Sequence, residues 1–256
     1  MLNTIVHGEA GAEPPLVIAH GLYGSARNWG AIARGLSTHR RVVAVDMRNH
    51  GDSHHDPVHA YEEMAADLAE VIDAHGGRAD VLGHSMGGKA AMVLALTQPA
   101  RVERLIVADI APVAYSHSQI MHLEAMRGVD LSAVTRRSDA DAQLASLSPD
   151  RALRAFFLQS LVVEAGGARW KLNLDALGDQ MEEIMGFPPV DAEFRRPTLF
   201  LRGGKSEYVG DVHRPRIVEL FPAARFETIP EAGHWLHAEA PDAFRAAVTA
   251  FLNAPR

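Results

Sequence analysis

The stretch from Gly83 to Ala90, GHSMGGKA, matches two patterns that serve different chemistries. As G-x-S-x-G it is a nucleophile elbow, in which Ser85 attacks an acyl carbonyl. As G-x-x-x-x-G-K it is one residue short of a phosphate-binding loop, because Ala90 replaces the Ser or Thr that binds magnesium. The side chains of His84 and Met86 would also fill the open nest of backbone donors that a phosphate needs. These two features favour the elbow.

The elbow hypothesis accounts for each residue around Ser85. A nucleophile on a sharp strand-to-helix turn adopts a strained backbone conformation, and the residues two before and two after it must be small. Gly83 and Gly87 meet that demand. The N–H of Met86 would open the following helix and point at a developing oxyanion, with the helix dipole behind it. The alternative role for Ser85 is an ordinary helix N-cap.

Two further motifs supply partners for such a serine. HGLYGS, from His20 to Ser25, follows an apolar run, and the N–H of Leu22 is placed to be a second oxyanion donor. AGHWLHAEAP puts His234 on a loop near the end of the chain, where it could act as the base. Ser before His is the order known for serine hydrolases with this elbow. A third motif, DMRNHGDS at Asp46–Ser53, is predicted to pack under the site and to have no catalytic role.

The elements that must position these residues are short apolar strands that alternate with helices. Predicted strands are Leu16–Ala19, Val42–Val45, Val81–Leu82, Leu105–Ala108, Thr198–Leu201 and Arg225–Ile229. Predicted helices are Trp29–Leu36, Tyr61–His75, Gly88–Gln98, Val212–Phe221 and Pro241–Leu252. Near-continuous apolar strands separated by helices predict an α/β fold with a mostly parallel, twisted sheet covered on both faces. Such sheets bind substrate beyond the carboxyl ends of their strands.

The alternation stops between Pro112 and Arg196, where the sequence is mostly helical with weak loops near Ser148-Pro149 and Gly166-Gly167. This segment is too long for a simple crossover. We therefore predict a core formed by residues 1–111 and 197–256 and a helical cap over residues 112–196.

Composition excludes several classes of protein. The chain of 256 residues has an apolar fraction of 47%, a net charge of −7 and no cysteine, which excludes disulfides, thiolate metal sites and a cysteine nucleophile. Basic residues are not clustered, so no nucleic-acid partner is expected. The first residues lack the features of a signal peptide, and no apolar run approaches the ~18 residues of a membrane helix. A cytoplasmic location is the expectation.

Together, HGLYGS, DMRNHGDS, GHSMGG and GHWLHAEAP resemble the α/β-hydrolase superfamily. DIAPVAY, GGKSEYV and GHSMGGKA resemble more closely the small bacterial YbfF-type esterases and their mitochondrial relatives. The resemblance implies hydrolysis of an acyl ester or thioester, with Ser85 as nucleophile and His234 as base. It says least about the substrate, because the cap is the least similar part.

The acid that orients His234 is not at its usual place. Most α/β-hydrolases carry it in a G-x-x-D pattern after a late strand, but here the slot holds Ser206. Asp109, at the end of LIVAD, follows the preceding strand, where some members of the superfamily carry the acid. Glu207 and Asp211 are the alternatives. Ser206 would then be a fourth member that hydrogen-bonds to Asp109 or His234.

The cap contains an apolar stripe that could form a wall for an acyl chain. We predict a substrate surface with five side chains: Tyr23, Phe156, Phe157, Leu161 and Trp235. The alternative is that the stripe only packs the cap onto the core. No cofactor is expected, and no metal, because the fourteen histidines lack the spacing of a metal motif.

Other functions remain open on the same residues. C–C bond hydrolysis and cofactor-free perhydrolysis use a similar triad, because a fold does not fix a reaction. A non-catalytic binding protein is the third possibility, although Ser85 and His234 are both present.

Overall fold

The computed structural model describes residues 1–255, and its main feature is a seven-stranded sheet. Within these residues the strands are β1 (Thr4–His7), β2 (Leu16–Ala19), β3 (Val42–Val45), β4 (Ala79–His84), β5 (Val102–Ala108), β6 (Leu161–Glu164), β7 (Gly167–Trp170), β8 (Thr198–Gly203) and β9 (Ala224–Ile229). The order in the sheet is β1-β3-β2-β4-β5-β8-β9. Only β1 is antiparallel to its neighbour, with Thr4 opposite Val45.

Helices cover both faces of this sheet. The α-helices within residues 1–255 are α1 (Gly30–Leu36), α2 (Tyr61–Ala74), α3 (Met86–Thr97), α4 (Ile120–Arg127), α5 (Arg137–Leu144), α6 (Arg151–Phe157), α7 (Leu174–Asp179), α8 (Met181–Met185), α9 (Arg214–Leu220), α10 (Leu236–Glu239) and α11 (Pro241–Asn253). Successive strand residues alternate between two buried clusters: Val17 packs with α2 and α3, whereas Ile18 packs with α1 and α11. The predicted α/β-hydrolase fold with a mostly parallel sheet is confirmed.

The strand predictions fail where polar residues interrupt the apolar pattern. β1 was not predicted, because its residues TIVH form an edge strand that is only partly buried. β4 is longer than predicted, since Asp80 lies inside it. That carboxylate is buried and accepts a hydrogen bond from Arg40 Nη1 at 2.6 Å. A buried ion pair thus hides a polar residue inside a core strand.

The segment between β5 and β8 holds α4 to α8 and an antiparallel hairpin formed by β6 and β7. The sequence predicted a mostly helical segment with a weak loop near Gly166-Gly167, and the two strands on either side of that loop were not predicted. β-branched Val162 and Val163 favour a strand, and Gly167, with φ of 128°, allows the turn. Arg256, the last residue of the predicted core, lies outside the described residues.

No helix within residues 1–255 is both long enough and apolar enough to cross a membrane.

Candidate active site

Ser85 lies on a tight turn between β4 and α3. Its φ of 52° and ψ of −120° belong to a conformation that residues other than glycine rarely adopt. A Cβ on Gly83 would lie 2.2 Å from the Gly87 carbonyl oxygen, and a Cβ on Gly87 would lie 2.5 Å from the Ala19 carbonyl oxygen. Only glycine fits at either position. The backbone around Ser85 therefore has the geometry expected of an elbow.

A hydrogen-bonded chain joins Ser85 to the other predicted side chains. Ser85 Oγ lies 3.1 Å from His234 Nε2, and His234 Nδ1 lies 2.8 Å from Asp109 Oδ2. Because the carboxylate can only accept, the proton of the ring is on Nδ1, and Nε2 is free to accept from the hydroxyl. The three residues follow β4, β5 and β9, so the carboxyl edge of the sheet brings them together.

Asp109 is fully buried and held from several sides. Its φ is 51°, its Oδ1 accepts the Gly203 N–H at 3.0 Å, and its Oδ2 also accepts a short hydrogen bond from the Ser206 hydroxyl. Ser206 therefore contacts the same carboxylate oxygen as His234. The alternative acids are elsewhere: the Glu207 side chain is exposed, and Asp211 forms an ion pair with Arg214 at 3.1 Å.

The loop after β2 passes close to Ser85. A Cβ on Gly21 would lie 3.1 Å from the Cβ of Ser85. The Gly24 N–H donates to the Gly21 carbonyl at 3.0 Å, which closes a turn with Tyr23 at φ of 64°. Within residues 1–255 neither the Leu22 N–H nor the Met86 N–H has a protein acceptor. Both donors are available to an oxyanion.

A cavity of about 230 Å³ opens above Ser85 and His234. Of the predicted substrate residues, Tyr23, Phe156, Phe157 and Trp235 line it. The structure does not bring Leu161 to it. Leu161 faces inward on β6, opposite Trp170, and its side chain is fully buried in the core.

Lys89 is a buried ammonium in the same motif as Ser85. It is 1% exposed, and its Nζ donates to the Met185 carbonyl at 2.9 Å and to the Gly186 carbonyl. Desolvation lowers the pKa of Lys89 to about 7. A phosphate-binding loop would need this lysine for the phosphate, but here its ammonium already donates to backbone carbonyls of the segment between β5 and β8.

Two side chains that contact His234 were not predicted. His84 Nε2–H donates to the His234 carbonyl at 2.9 Å, and the Tyr208 ring stacks on the His234 ring at 4.1 Å. Both lie within quoted motifs, GHSMGG and GGKSEYV, but only the assembled sheet shows that they meet the loop after β9. Together they fix the backbone and the ring plane of His234.

Histidine, aspartate and glutamate side chains within residues 1–255 form no group of three that could hold a metal ion.

Burial lowers the pKa of a set of imidazoles near the site: His20, His50, His59, His84 and His237. For His59 and His237 the lowered pKa is about 3. An unfolded histidine has a pKa of about 6.5, so below that pH the unfolded chain binds protons that the folded chain does not. The stability that depends on these neutral histidines is therefore fully present above about pH 6.5 and is lost as the pH decreases.

We expect the free energy of unfolding, measured by urea titration, to fall steadily from pH 7 to pH 5. Each such histidine contributes a slope of up to about 1.4 kcal/mol per pH unit. His237→Phe keeps a ring stacked on Trp29 and should reduce the slope of the unfolding free energy against pH by the contribution of one histidine. A profile that is flat, or unchanged in His237→Phe, would show that these rings are not held neutral.

Comparison with known proteins agrees with this geometry. A model of the alpha/beta hydrolase family matches residues 16–247. The chain is 40% identical over 243 residues to esterase YbfF of Escherichia coli, covering 93% of each protein. It is 44% identical over 248 residues to the sn-1-specific diacylglycerol lipase ABHD11 of Mus musculus, covering 93% of this chain and 81% of that protein. These similarities confirm the resemblance found in the motifs.

Among solved structures, a marine microorganism esterase superposes with a TM-score of 0.93 at 39% identity, covering 98% of both chains. The elbow, the hydrogen-bonded chain from Asp109 to Ser85 and the matched family model over most of the sequence lead to one conclusion: the chain belongs to the alpha/beta hydrolase family.

Proposed function

We propose that this protein is a serine hydrolase that cleaves acyl esters or thioesters through an acyl-enzyme intermediate on Ser85. The observation that carries the proposal is the continuous hydrogen-bonded chain from Asp109 through His234 to Ser85 beneath a cavity. The relatives described above are named esterase and lipase, which supports the same class of reaction.

In the acylation step, His234 Nε2 takes the proton of Ser85 as the hydroxyl oxygen attacks the acyl carbonyl. The N–H groups of Leu22 and Met86 donate hydrogen bonds to the negatively charged oxygen that develops from the carbonyl and so stabilise it. Asp109 stabilises the imidazolium through its bond to Nδ1. The imidazolium then gives its proton to the leaving alcohol or thiol.

In the deacylation step, a water molecule takes the place of the leaving group. His234 accepts a proton from that water as it attacks the ester carbonyl of the acyl-enzyme. Collapse of the second tetrahedral intermediate returns the proton to Ser85 and releases the carboxylic acid. Ser206 assists in both steps as a positioning residue, because it hydrogen-bonds to the carboxylate that orients His234.

The partner we propose is a small ester or thioester, and a cytoplasmic location stays a prediction.

A substrate panel tests the function. Nitrophenyl esters with acyl chains of increasing length and a matched series of acyl thioesters should be hydrolysed, whereas peracid formation should not exceed hydrolysis. Peracid formation as the dominant reaction would favour the perhydrolase alternative. Absence of turnover on every ester and thioester, with Ser85 unlabelled by a fluorophosphonate, would favour a non-catalytic binding protein.

We further propose that residues 112–196 act as a cap that sets acyl-chain preference, and Phe156 is the residue to test. It lines the cavity and approaches Trp235, with ring centroids 6.0 Å apart. Phe156→Ala should raise kcat/KM for longer nitrophenyl esters relative to the acetyl ester.

Leu161→Ala is the matched control, because Leu161 belongs to the same segment but not to the cavity. It should cost about 2–5 kcal/mol of stability and leave the chain-length preference unchanged. If both variants lose activity equally on every ester, then Phe156 serves packing and does not select the substrate.

A further inference from the structure

Three hydrogen bonds connect the turn after β3 with the loop after β2. Asp46 Oδ1 accepts the Ala26 N–H at 2.7 Å, the Met47 N–H donates to His20 Nε2 at 3.0 Å, and the Tyr23 N–H donates to His50 Nε2 at 3.1 Å. The sequence motif DMRNHGDS is therefore more than packing under the site. It fixes the loop that carries the Leu22 N–H.

The tautomers of both rings follow from their partners. His50 Nδ1 lies 2.8 Å from the Arg48 carbonyl, and His20 Nδ1 lies 2.7 Å from the Gly21 carbonyl. A carbonyl only accepts, so each Nδ1 carries the proton and each Nε2 presents a lone pair to a backbone N–H. Burial lowers the pKa of both imidazoles, which keeps both rings neutral near pH 7.

These contacts determine where the Leu22 N–H points. A trans peptide is planar, and its C=O and N–H point in opposite directions. The Gly21 carbonyl accepts from both His20 Nδ1 and the Gly24 N–H, which fixes the peptide plane that contains the Leu22 N–H. His50 fixes the next peptide plane through the Tyr23 N–H. The unbonded Leu22 N–H lies between these two anchored groups.

We propose that His50 is a positioning residue for the oxyanion site, which acts by holding the peptide between Leu22 and Tyr23 so that the Leu22 N–H faces the developing oxyanion. This proposal rests on the proposed serine hydrolase function. His50 is fully buried, so it touches no substrate. Its effect is transmitted only through the loop. We therefore expect the loss of His50 to weaken stabilisation of the transition state more than binding of the substrate.

The test compares His50→Leu, which fills the space without an acceptor, with His50→Gln, whose amide oxygen can reach the position of Nε2. Complete loss of an oxyanion donor costs about 10²- to 10³-fold in kcat. For a donor that is present but misdirected we expect His50→Leu to lower kcat by roughly 10- to 100-fold with little change in KM. His50→Gln should recover most of this loss.

Two further readouts separate positioning from stability. An alkylboronic acid, which forms a tetrahedral adduct with Ser85, should bind His50→Leu more weakly by the same factor as the loss in kcat/KM. Val248→Ala, on the buried face of α11, should lower the melting temperature and leave kcat unchanged. If His50→Leu does not fold, then His50→Asn takes its place, because its shorter amide cannot reach the Tyr23 N–H.

A wild-type kcat in His50→Leu, a raised KM at constant kcat, or a kcat in His50→Gln as low as in His50→Leu would contradict the positioning role of His50. Equal kcat values in His50→Asn and His50→Gln would contradict it as well. Failure of the underlying function looks different: the wild-type protein itself would then bind no boronic acid and hydrolyse no ester.

Discussion

Asp109→Asn is expected to lower kcat for a nitrophenyl ester by about 10⁴-fold, the loss seen when the acid of a serine triad is neutralised. The amide would present an N–H₂ group to His234 Nδ1, which would then act as the acceptor. The ring proton would move to Nε2, and the ring could no longer take the proton of Ser85. The carboxylate that His234 contacts at 2.8 Å is thus the group on which its tautomer depends.

The two alternative acids provide controls. Asp211 forms an exposed ion pair with Arg214, so Asp211→Asn should change kcat by less than about twofold. Glu207→Gln should have an equally small effect. Ser206→Ala should give an intermediate loss, because it removes a donor to Asp109 and leaves the carboxylate in place. A normal kcat in Asp109→Asn, together with collapse in Glu207→Gln or Asp211→Asn, would show that the acid has been assigned to the wrong residue.

Ser85→Ala is expected to remove hydrolysis almost completely, with a loss on the order of 10⁶-fold in kcat. We expect no other hydroxyl to replace the nucleophile, because Ser85 is the residue on the elbow after β4 and its Oγ contacts His234 Nε2. Labelling by a fluorophosphonate should disappear with the activity.

The variant should fold normally, since alanine has the same backbone demands as serine at φ of 52°. We expect its melting temperature to equal or exceed that of the wild type, because active-site side chains are selected for activity and not for stability. Labelling that persists at the wild-type rate would show that another residue is the nucleophile.

Local spacing predicted the parts of the site that the backbone determines. Gly83 and Gly87 indicated the elbow because the residues two before and two after such a nucleophile must be small. Asp109 was favoured over Glu207 and Asp211 because it follows a parallel strand, and parallel strands present their carboxyl ends at one edge of the sheet. In the structure Asp109 contacts His234 on the loop after β9.

The sequence could not predict contacts that depend on which face of an element a side chain occupies. Leu161 was expected in the cavity, but it lies on β6, a strand that was not predicted, and its side chain is buried in the core. The hydrogen bond that the Tyr23 N–H donates to His50 joins residues from different loops, and it depends on the orientation and tautomer of the His50 ring. No periodicity in the sequence encodes either feature.

The most direct test of Ser85 as the nucleophile is the mass of the wild-type protein quenched during turnover of a slowly hydrolysed ester, such as a nitrophenyl trimethylacetate. We expect a burst of nitrophenol and a single acyl group, located by peptide mapping on Ser85 in GHSMGGK. Steady hydrolysis with neither a burst nor an adduct, or an acyl group on a different residue, would contradict the proposal that Ser85 forms the acyl-enzyme.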